Sequence, residues 1–152
     1  MAEDYSYEDK LEGQQMTKAE RYEKIVEYMN EVPDFNYHNG IKLTRLSDDF
    51  AECKIELTPE SMNAQGIAHG GTVFSACDVA AGYAATYIDR RLVTQGASIN
   101  FLRPVIGEYL IARAQPIKVG KTVSLVESRA YDDQDRLVAV ATFTLFYVDT
   151  KA

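Results

Sequence analysis

The chain has 152 residues and a formal net charge of −7, and 46% of its residues are hydrophobic. This length suits one domain, and the composition is that of a soluble globular protein. No apolar run reaches the roughly 18–20 residues that cross a bilayer, and no basic stripe suits nucleic-acid phosphates, so neither partner is expected. The first ten residues, MAEDYSYEDK, lack the pattern of a secretory signal, so a cytoplasmic protein is expected.

The N-terminal part of the chain carries most of the negative charge. Residues 1–31 hold nine acidic and four basic side chains, and we expect an acidic arm over residues 1–35. Within it, a helix is predicted at Thr17–Glu31, because Thr17 and Glu20 have the spacing of a capping box. Four residues then share one face at helical spacing: Tyr22, Ile25, Val26 and Met29. One domain is expected over residues 36–150.

Two segments of this domain are informative about burial. Ala51–Thr58 alternates apolar and polar residues, which predicts a half-buried antiparallel strand. Leu137–Val148 is apolar on both faces, which predicts a strand covered on each side. Further strands are predicted from their β-branched and aromatic residues: Ile41–Leu46, Gln95–Leu102, Glu108–Val119 and Thr122–Tyr131.

The segment Thr72–Ile88 is apolar nearly all the way round and rich in small residues. A helix of this composition is buried on most sides, so we expect it to be the central element of the domain. The order is then helix, two strands, buried helix and four strands. This order predicts an α+β fold in which a curved antiparallel sheet wraps around one long central helix, with an extra N-terminal helix.

The two cysteines, Cys53 and Cys77, lie among apolar or alternating residues, and we expect buried structural thiols. A nucleophilic Cys77 is the alternative, and it would need His38 or His69 as a base. The sequence has no metal-ligand cluster, no phosphate-binding loop and no nucleophile elbow of the G-x-S-x-G type. Neither a metal nor a cofactor is therefore expected.

Asp78 lies inside the most apolar helix of the chain. Burial of an unpaired carboxylate costs several kcal/mol, so Asp78 is either a catalytic group or an acid paired with a nearby donor. Just before this helix stands His69-Gly70-Gly71. Glycines let the backbone approach a ligand closely, and helix-start N–H groups favour developing negative charge. An ordinary glycine-rich turn is the alternative.

Gly70 and Asp78 are eight residues apart, which is roughly 12 Å along a helix with a rise of 1.5 Å per residue. One carbonyl carbon cannot lie close to both groups of the same chain. A two-fold dimer can place Gly70 of one chain opposite Asp78 of the other. If both residues are catalytic, the active site must be shared between chains.

The pattern N-x5-HGG-x6-D resembles the hotdog-fold thioesterases of the phenylacetic-acid-degradation (PaaI-like) type. The stretches VTQGASINFLRPVIGE and LVAVATFTLFYV are also similar to that family, and the resemblance covers about residues 36–148. It implies a hotdog fold, a homodimer with a continuous sheet that can pair into a dimer of dimers, and hydrolysis of an acyl-CoA or aryl-CoA thioester without a cofactor.

The resemblance also implies residue roles. Asp78 matches the catalytic carboxylate, as general base or nucleophile, and Gly70 matches the backbone N–H that polarises the thioester carbonyl. Asn63 matches the side chain that positions substrate or water, and His69 the motif histidine. Thr94 falls where relatives carry a hydroxyl near the carboxylate.

Four more residues are candidates for contact with the substrate. Gly71 is a candidate for close backbone approach and Tyr83 for the pocket wall, while Arg103 and Lys121 are candidates for the phosphates of coenzyme A. Two other functions stay open: a non-catalytic acyl-CoA-binding hotdog module and a hotdog dehydratase of 3-hydroxyacyl thioesters.

Overall fold

A computed structural model describes residues 15–85 and 90–148. Its helices are α1 (Lys18–Glu31), α2 (Phe35–His38) and α3 (Gly70–Ala85), with a short 3-10 turn at Pro59–Ser61. Its strands are β1 (Ile41–Ser47), β2 (Phe50–Glu56), β3 (Arg91–Phe101), β4 (Tyr109–Val119), β5 (Val123–Asp132) and β6 (Leu137–Val148).

The six strands form one antiparallel sheet in the order β1-β2-β4-β5-β6-β3, and α3 packs on one face of it. Alternation along each strand directs one set of side chains to α3 and the other to the outer face. The inward set and the buried side of α3 form the core. This arrangement confirms the predicted α+β architecture of a sheet wrapped around one long helix.

Helix α3 approaches the sheet closely because its buried side consists mostly of small residues. At its edge, Phe74 packs on Phe143 of β6 with ring centroids 5.6 Å apart. The helix begins at Gly70, two residues before the predicted start, and the predicted end at Ile88 lies outside the described residues. The buried residues of α3 are Val73, Ala76, Cys77, Ala80, Ala81, Ala84 and Ala85.

Strand boundaries differ from the predictions where pairing decides them. β3 begins at Arg91 instead of Gln95, because its ladder with β6 continues to Val148. β2 ends at Glu56 instead of Thr58, since the Leu57 N–H donates to the carbonyl of Glu108 outside the ladder.

The prediction that Leu137–Val148 is covered on both faces is wrong for the single chain. β6 lies between β5 and β3, and its inward residues are buried against α3. On the outer face, however, Phe146 and Val148 are 36% and 41% exposed.

The two edges of the described sheet differ. At the β1 edge, the Asn30 amide of α1 donates to the Leu43 carbonyl at 2.8 Å and accepts from the Leu43 N–H at 2.9 Å. Helix α1 therefore packs along this edge and occupies the backbone N–H and carbonyl of Leu43. At the other edge, β3 pairs only with β6 in the described part of the chain, and nine of its eleven residues are exposed.

Helix α1 begins as the sequence predicts, with a capping box between Thr17 and Glu20. Its first turns are tied to the β1–β2 turn, where Asp48 accepts from the Tyr22 hydroxyl and pairs with Lys18 at 2.6 Å. Among the helices in residues 15–85 and 90–148, none is long and apolar enough to cross a membrane.

Candidate active site

Asp78 lies in the middle of α3, on the side that faces β3. Its Oδ1 accepts a hydrogen bond of 2.7 Å from the Thr94 hydroxyl on β3. The carboxylate is half-buried and the threonine is exposed in the single chain. Asp78 is thus oriented by one donor, while the side of the pair toward the free sheet edge remains open.

The N-terminus of α3 supplies an unused backbone donor. The carbonyl of His69 accepts from the Val73 N–H at 3.2 Å, which makes His69 the N-cap and Gly70 the first helical residue. Within the described residues, the Gly70 N–H makes no hydrogen bond. It therefore points out of the helix as a donor for an anionic oxygen.

His69 is fixed by its own chain. Its N–H donates to the Ser61 carbonyl at 2.8 Å, and its Nδ1 accepts from the Gly71 N–H at 2.9 Å. Because Nδ1 is an acceptor, a neutral ring carries its proton on Nε2. The exposed imidazole can then donate from Nε2, whereas the Gly71 N–H is already used within the chain.

Asn63 shapes the loop that precedes α3. Its Oδ1 accepts from the backbone N–H groups of Gln65 and Ile67 at 2.9 and 3.2 Å. The side-chain nitrogen makes no hydrogen bond in the part of the chain that the structure describes. Asn63 thus holds the loop through its oxygen and retains an amide donor.

Tyr83 does not join Asp78. It is five positions further along α3, which is about 140° around a helix of 3.6 residues per turn. Burial raises the pKa of the Tyr83 phenol, and Cys53 and Asp34 raise it further. These neighbours place Tyr83 on another side of α3, against the core, so its contact with substrate stays a prediction.

Arg103 and Lys121 lie toward opposite ends of α3. Arg103 follows β3 near the Gly70 end, and its guanidinium donates to the Leu137 carbonyl at 2.7 Å. Lys121 lies in the β4–β5 turn and is exposed, and its carbonyl accepts from Arg90. One chain does not bring these two cations together.

The cysteines are free and buried, as the sequence predicts. Burial raises the pKa of the Cys77 thiol to about 11. A thiol that stays protonated is a poor nucleophile, which disfavours the alternative role for Cys77. No cluster of three potential metal ligands occurs in residues 15–85 and 90–148.

Phe101 is a site residue that the sequence did not reveal. Its ring contacts Gly70, such that a Cβ added at Gly70 would lie 3.4 Å from the ring Cζ, yet the side chain is 53% exposed. No feature of the sequence distinguishes Phe101 from an aromatic core residue at the end of a strand. Only the packing shows that it borders the free N–H.

The motif residues form two groups within one chain. Thr94 and Asp78 form one group, and His69, Gly70 and Phe101 form the other. Gly70 and Asp78 are separated by eight residues of continuous helix, roughly 12 Å along its axis. Within one chain the two groups are therefore separated by more than the width of a thioester group.

Comparison with known proteins identifies the family. Residues 65–139 match the family model of the Thioesterase superfamily. The acyl-coenzyme A thioesterase PaaI of Escherichia coli is 30% identical over 66% of this chain and 73% of its own length. The solved structure of E. coli PaaI has a TM-score of 0.79 at 24% identity, covering 88% of this chain and 97% of that one.

A further solved structure, smu.793 from Streptococcus mutans bound to acetyl CoA, has a TM-score of 0.70 at 26% identity. The match covers 80% of this chain and 97% of that one. The likeness in sequence and in fold agrees with the arrangement of α3 in its sheet. The chain belongs to the thioesterase superfamily and is a PaaI-like thioesterase with the hotdog fold.

Proposed function

We propose that the chain hydrolyses an acyl-CoA or aryl-CoA thioester to the free acid and CoA, in a site shared by two chains. The observation that carries this proposal is the 2.7 Å hydrogen bond from Thr94 to Asp78, which presents a carboxylate at the free edge of the sheet. Similarity to a thioesterase of E. coli and to a structure bound to acetyl CoA supports the substrate class.

In this mechanism Asp78 removes a proton from water, and the water oxygen attacks the thioester carbonyl; direct attack by Asp78 is the alternative. The Gly70 N–H stabilises the negative charge on the carbonyl oxygen in the tetrahedral intermediate. The C–S bond then breaks, and CoA leaves as a thiolate that takes up the proton. Thioesters lack much of the resonance stabilisation of oxygen esters, so one base and one oxyanion donor suffice without a cofactor.

The remaining residues position the reactants. Thr94 orients the carboxylate, and the Nε2 proton of His69 faces the thioester end of the substrate. The free amide nitrogen of Asn63 is available to the substrate or to the attacking water. Arg103 and Lys121 are proposed to meet the phosphates of CoA from the two chains.

The exposed edge of β3 supports a site that two chains complete. Thr94 pairs with Leu145 and Phe101 with Ala139, both buried partners, so Thr94 and Phe101 face α3 from opposite ends of β3. If two copies of β3 pair antiparallel, the Phe101 end of one strand lies beside the Thr94 end of the other. In each chain Gly70 contacts Phe101, so Gly70 of one chain then approaches Asp78 of the other.

Steady-state hydrolysis of a panel of acyl-CoA and aryl-CoA thioesters tests this proposal. Asp78→Asn keeps the shape of the side chain but removes the base, and we expect kcat to fall by about 10²–10⁴-fold. The matched control is Asp49→Asn, an exposed aspartate in the β1–β2 turn, which should retain wild-type activity. Full activity in Asp78→Asn would refute the mechanism, and binding of CoA thioesters without turnover by the wild type would favour the binding module.

A further inference from the structure

Phe101 points to the inner side of the sheet but is not covered there. It is the last residue of β3 and pairs with the buried Ala139 of β6, so its side chain lies on the side where α3 packs. Ala97 and Ile99 point to the same side, because they too pair with buried residues of β6. We call these three apolar residues of β3 the inner row. Phe101 is nevertheless 53% exposed, so most of its ring is open to a ligand.

The ring of Phe101 lies on the same side of Gly70 as the free N–H. At the start of a helix, the Cα–Cβ bonds and the backbone N–H groups both point toward the N-terminal end. A Cβ added at Gly70 would lie 3.4, 3.7 and 3.9 Å from the ring atoms Cζ, Cε1 and Cε2. The tip of the ring therefore borders the space that an oxygen bound to the Gly70 N–H occupies.

The inner row also indicates which part of the substrate lies beside this ring. A thioester carbonyl carbon carries the sulfur of CoA on one side and C2 of the acyl group on the other. From Phe101 the inner row continues as an apolar surface along the side of β3 that faces α3. An apolar acyl chain gains free energy from contact with such a surface, whereas the phosphates of CoA need water or cations. The acyl chain therefore follows the inner row, and the Phe101 ring lies next to C2.

We propose that Phe101 determines which acyl groups are accepted, by excluding those that carry a branch on C2. The proposal rests on the β3-paired dimer of the proposed function, in which the ring of one chain lies beside Thr94 and Asp78 of the other. C2 is then enclosed between the ring and the partner's carboxylate. An unbranched C2 presents only hydrogens to the ring, but a methyl group on C2 would occupy the volume of the ring. A methyl group on C3 lies one bond further along the inner row and avoids it.

Two isomeric substrates separate this effect from the size of the acyl group. They are the 2-methyl and 3-methyl derivatives of the straight-chain acyl-CoA, of at least four carbons, that the wild type hydrolyses fastest. One carbon in an apolar pocket changes kcat/KM by about 10–200-fold. We expect the wild type to prefer the 3-methyl isomer by a factor in this range, and Phe101→Ala to reduce that preference about tenfold or more. Because a C2 branch also slows hydrolysis in water, the decisive quantity is the change of this ratio between wild type and variant.

A second variant and a matched control accompany Phe101→Ala. Phe101→Leu keeps an apolar side chain but removes the tip of the ring, so its preference should lie between those of the wild type and Phe101→Ala. The control is Phe146→Ala on β6, which removes a ring on the outer face of the sheet, since the neighbours Leu145 and Tyr147 are buried. Its preference should equal that of the wild type. Circular dichroism and light scattering verify that each variant is folded and has the mass of the wild type, and Phe101→Leu decides if Phe101→Ala is not folded.

An unchanged preference in the folded Phe101 variants would overturn the assignment, as would a wild type that hydrolyses both isomers equally well. Either result would leave the proposed function intact, because hydrolysis itself continues. A loss of preference in Phe146→Ala equal to that in Phe101→Ala would also overturn it, since the effect would not be local to the inner row. A wild type that hydrolyses no acyl-CoA would overturn the proposed function and this assignment together.

Discussion

Replacement of Gly70 by proline removes the proposed oxyanion donor while the helix remains. Proline has no backbone N–H, and the first helical position tolerates it because its fixed φ suits a helix start. The Gly70 N–H makes no hydrogen bond within the described residues, so no contact of the fold is lost. Gly70→Pro is therefore expected to fold normally and to lose activity.

The size of the loss follows from the role of the donor. Removal of one oxyanion-hole donor costs about 10²–10³-fold in kcat, or about 2.7–4 kcal/mol of transition-state stabilisation. Because the donor acts on the charge that develops in the transition state, KM should change much less than kcat. The measurement is steady-state kinetics on an acyl-CoA that the wild type hydrolyses, with circular dichroism to verify the helix.

Gly70→Ala is the matched control, since it adds a side chain and keeps the N–H. The added Cβ would lie 3.4 Å from the ring of Phe101, at the edge of ordinary contact, so a small shift of an exposed ring accommodates it. We expect Gly70→Ala to keep most of the wild-type kcat. Equal kcat values for the proline and alanine variants would refute the assignment of the donor.

Mixing Gly70→Pro with Asp78→Asn tests whether the site is shared. In a mixed dimer, one of the two sites receives its carboxylate and its N–H from the two unaltered halves, while the other site lacks both. Random exchange of equal amounts makes half of the dimers mixed, so activity should recover to about one quarter of the wild-type value. No recovery after verified subunit exchange would place both groups in one chain.

Three further predictions concern neighbouring groups. Thr94→Val should lower kcat about 10–100-fold, because a hydrogen bond to the charged Asp78 is worth about 1.5–3 kcal/mol. Thr94→Ser should restore kcat. Unchanged kinetics in Thr94→Val would exclude this positioning role. Treatment with iodoacetamide near pH 7 should leave activity intact, since the pKa of Cys77 is raised to about 11 and the thiol is protonated at pH 7. Rapid inactivation would contradict the burial of Cys77. Asn30→Ala should lower the free energy of unfolding, measured in urea, by about 1–3 kcal/mol, because both hydrogen bonds to Leu43 are lost. An unchanged free energy of unfolding would show that these hydrogen bonds at the β1 edge do not stabilise the fold.

The sequence predicted the order of elements because each element has its own local signal. The capping box at Thr17 marks the start of α1, and small residues around α3 mark a helix buried on most sides. The family resemblance implied that Thr94 lies near Asp78, sixteen residues earlier, and the structure joins them by a hydrogen bond. The residue pattern alone could not have predicted this contact, since no periodicity relates a helix residue to a residue of a later strand.

Features that depend on pairing between distant strands could not be predicted. The start of β3 at Arg91 is fixed by its ladder with β6, and the contact of Phe101 with Gly70 depends on where that strand ends. The prediction that both faces of β6 are covered fails on the outer face, because a sequence pattern reports which residues are apolar but not what covers them.

The proposal of a site shared by two chains follows from what each proposed catalytic group needs. The proposed oxyanion donor is a backbone N–H that the helix itself leaves unused, and such N–H groups lie in the first turn of a helix, as at Gly70. A carboxylate held by a strand residue must lie where the helix crosses that strand, and Asp78 meets Thr94 in the middle of α3. One straight helix cannot bring its first turn and its middle to the same carbonyl carbon. In the proposed dimer, antiparallel pairing of two β3 strands removes this conflict and creates two equivalent sites, so the exposed strand edge is the element that completes each site.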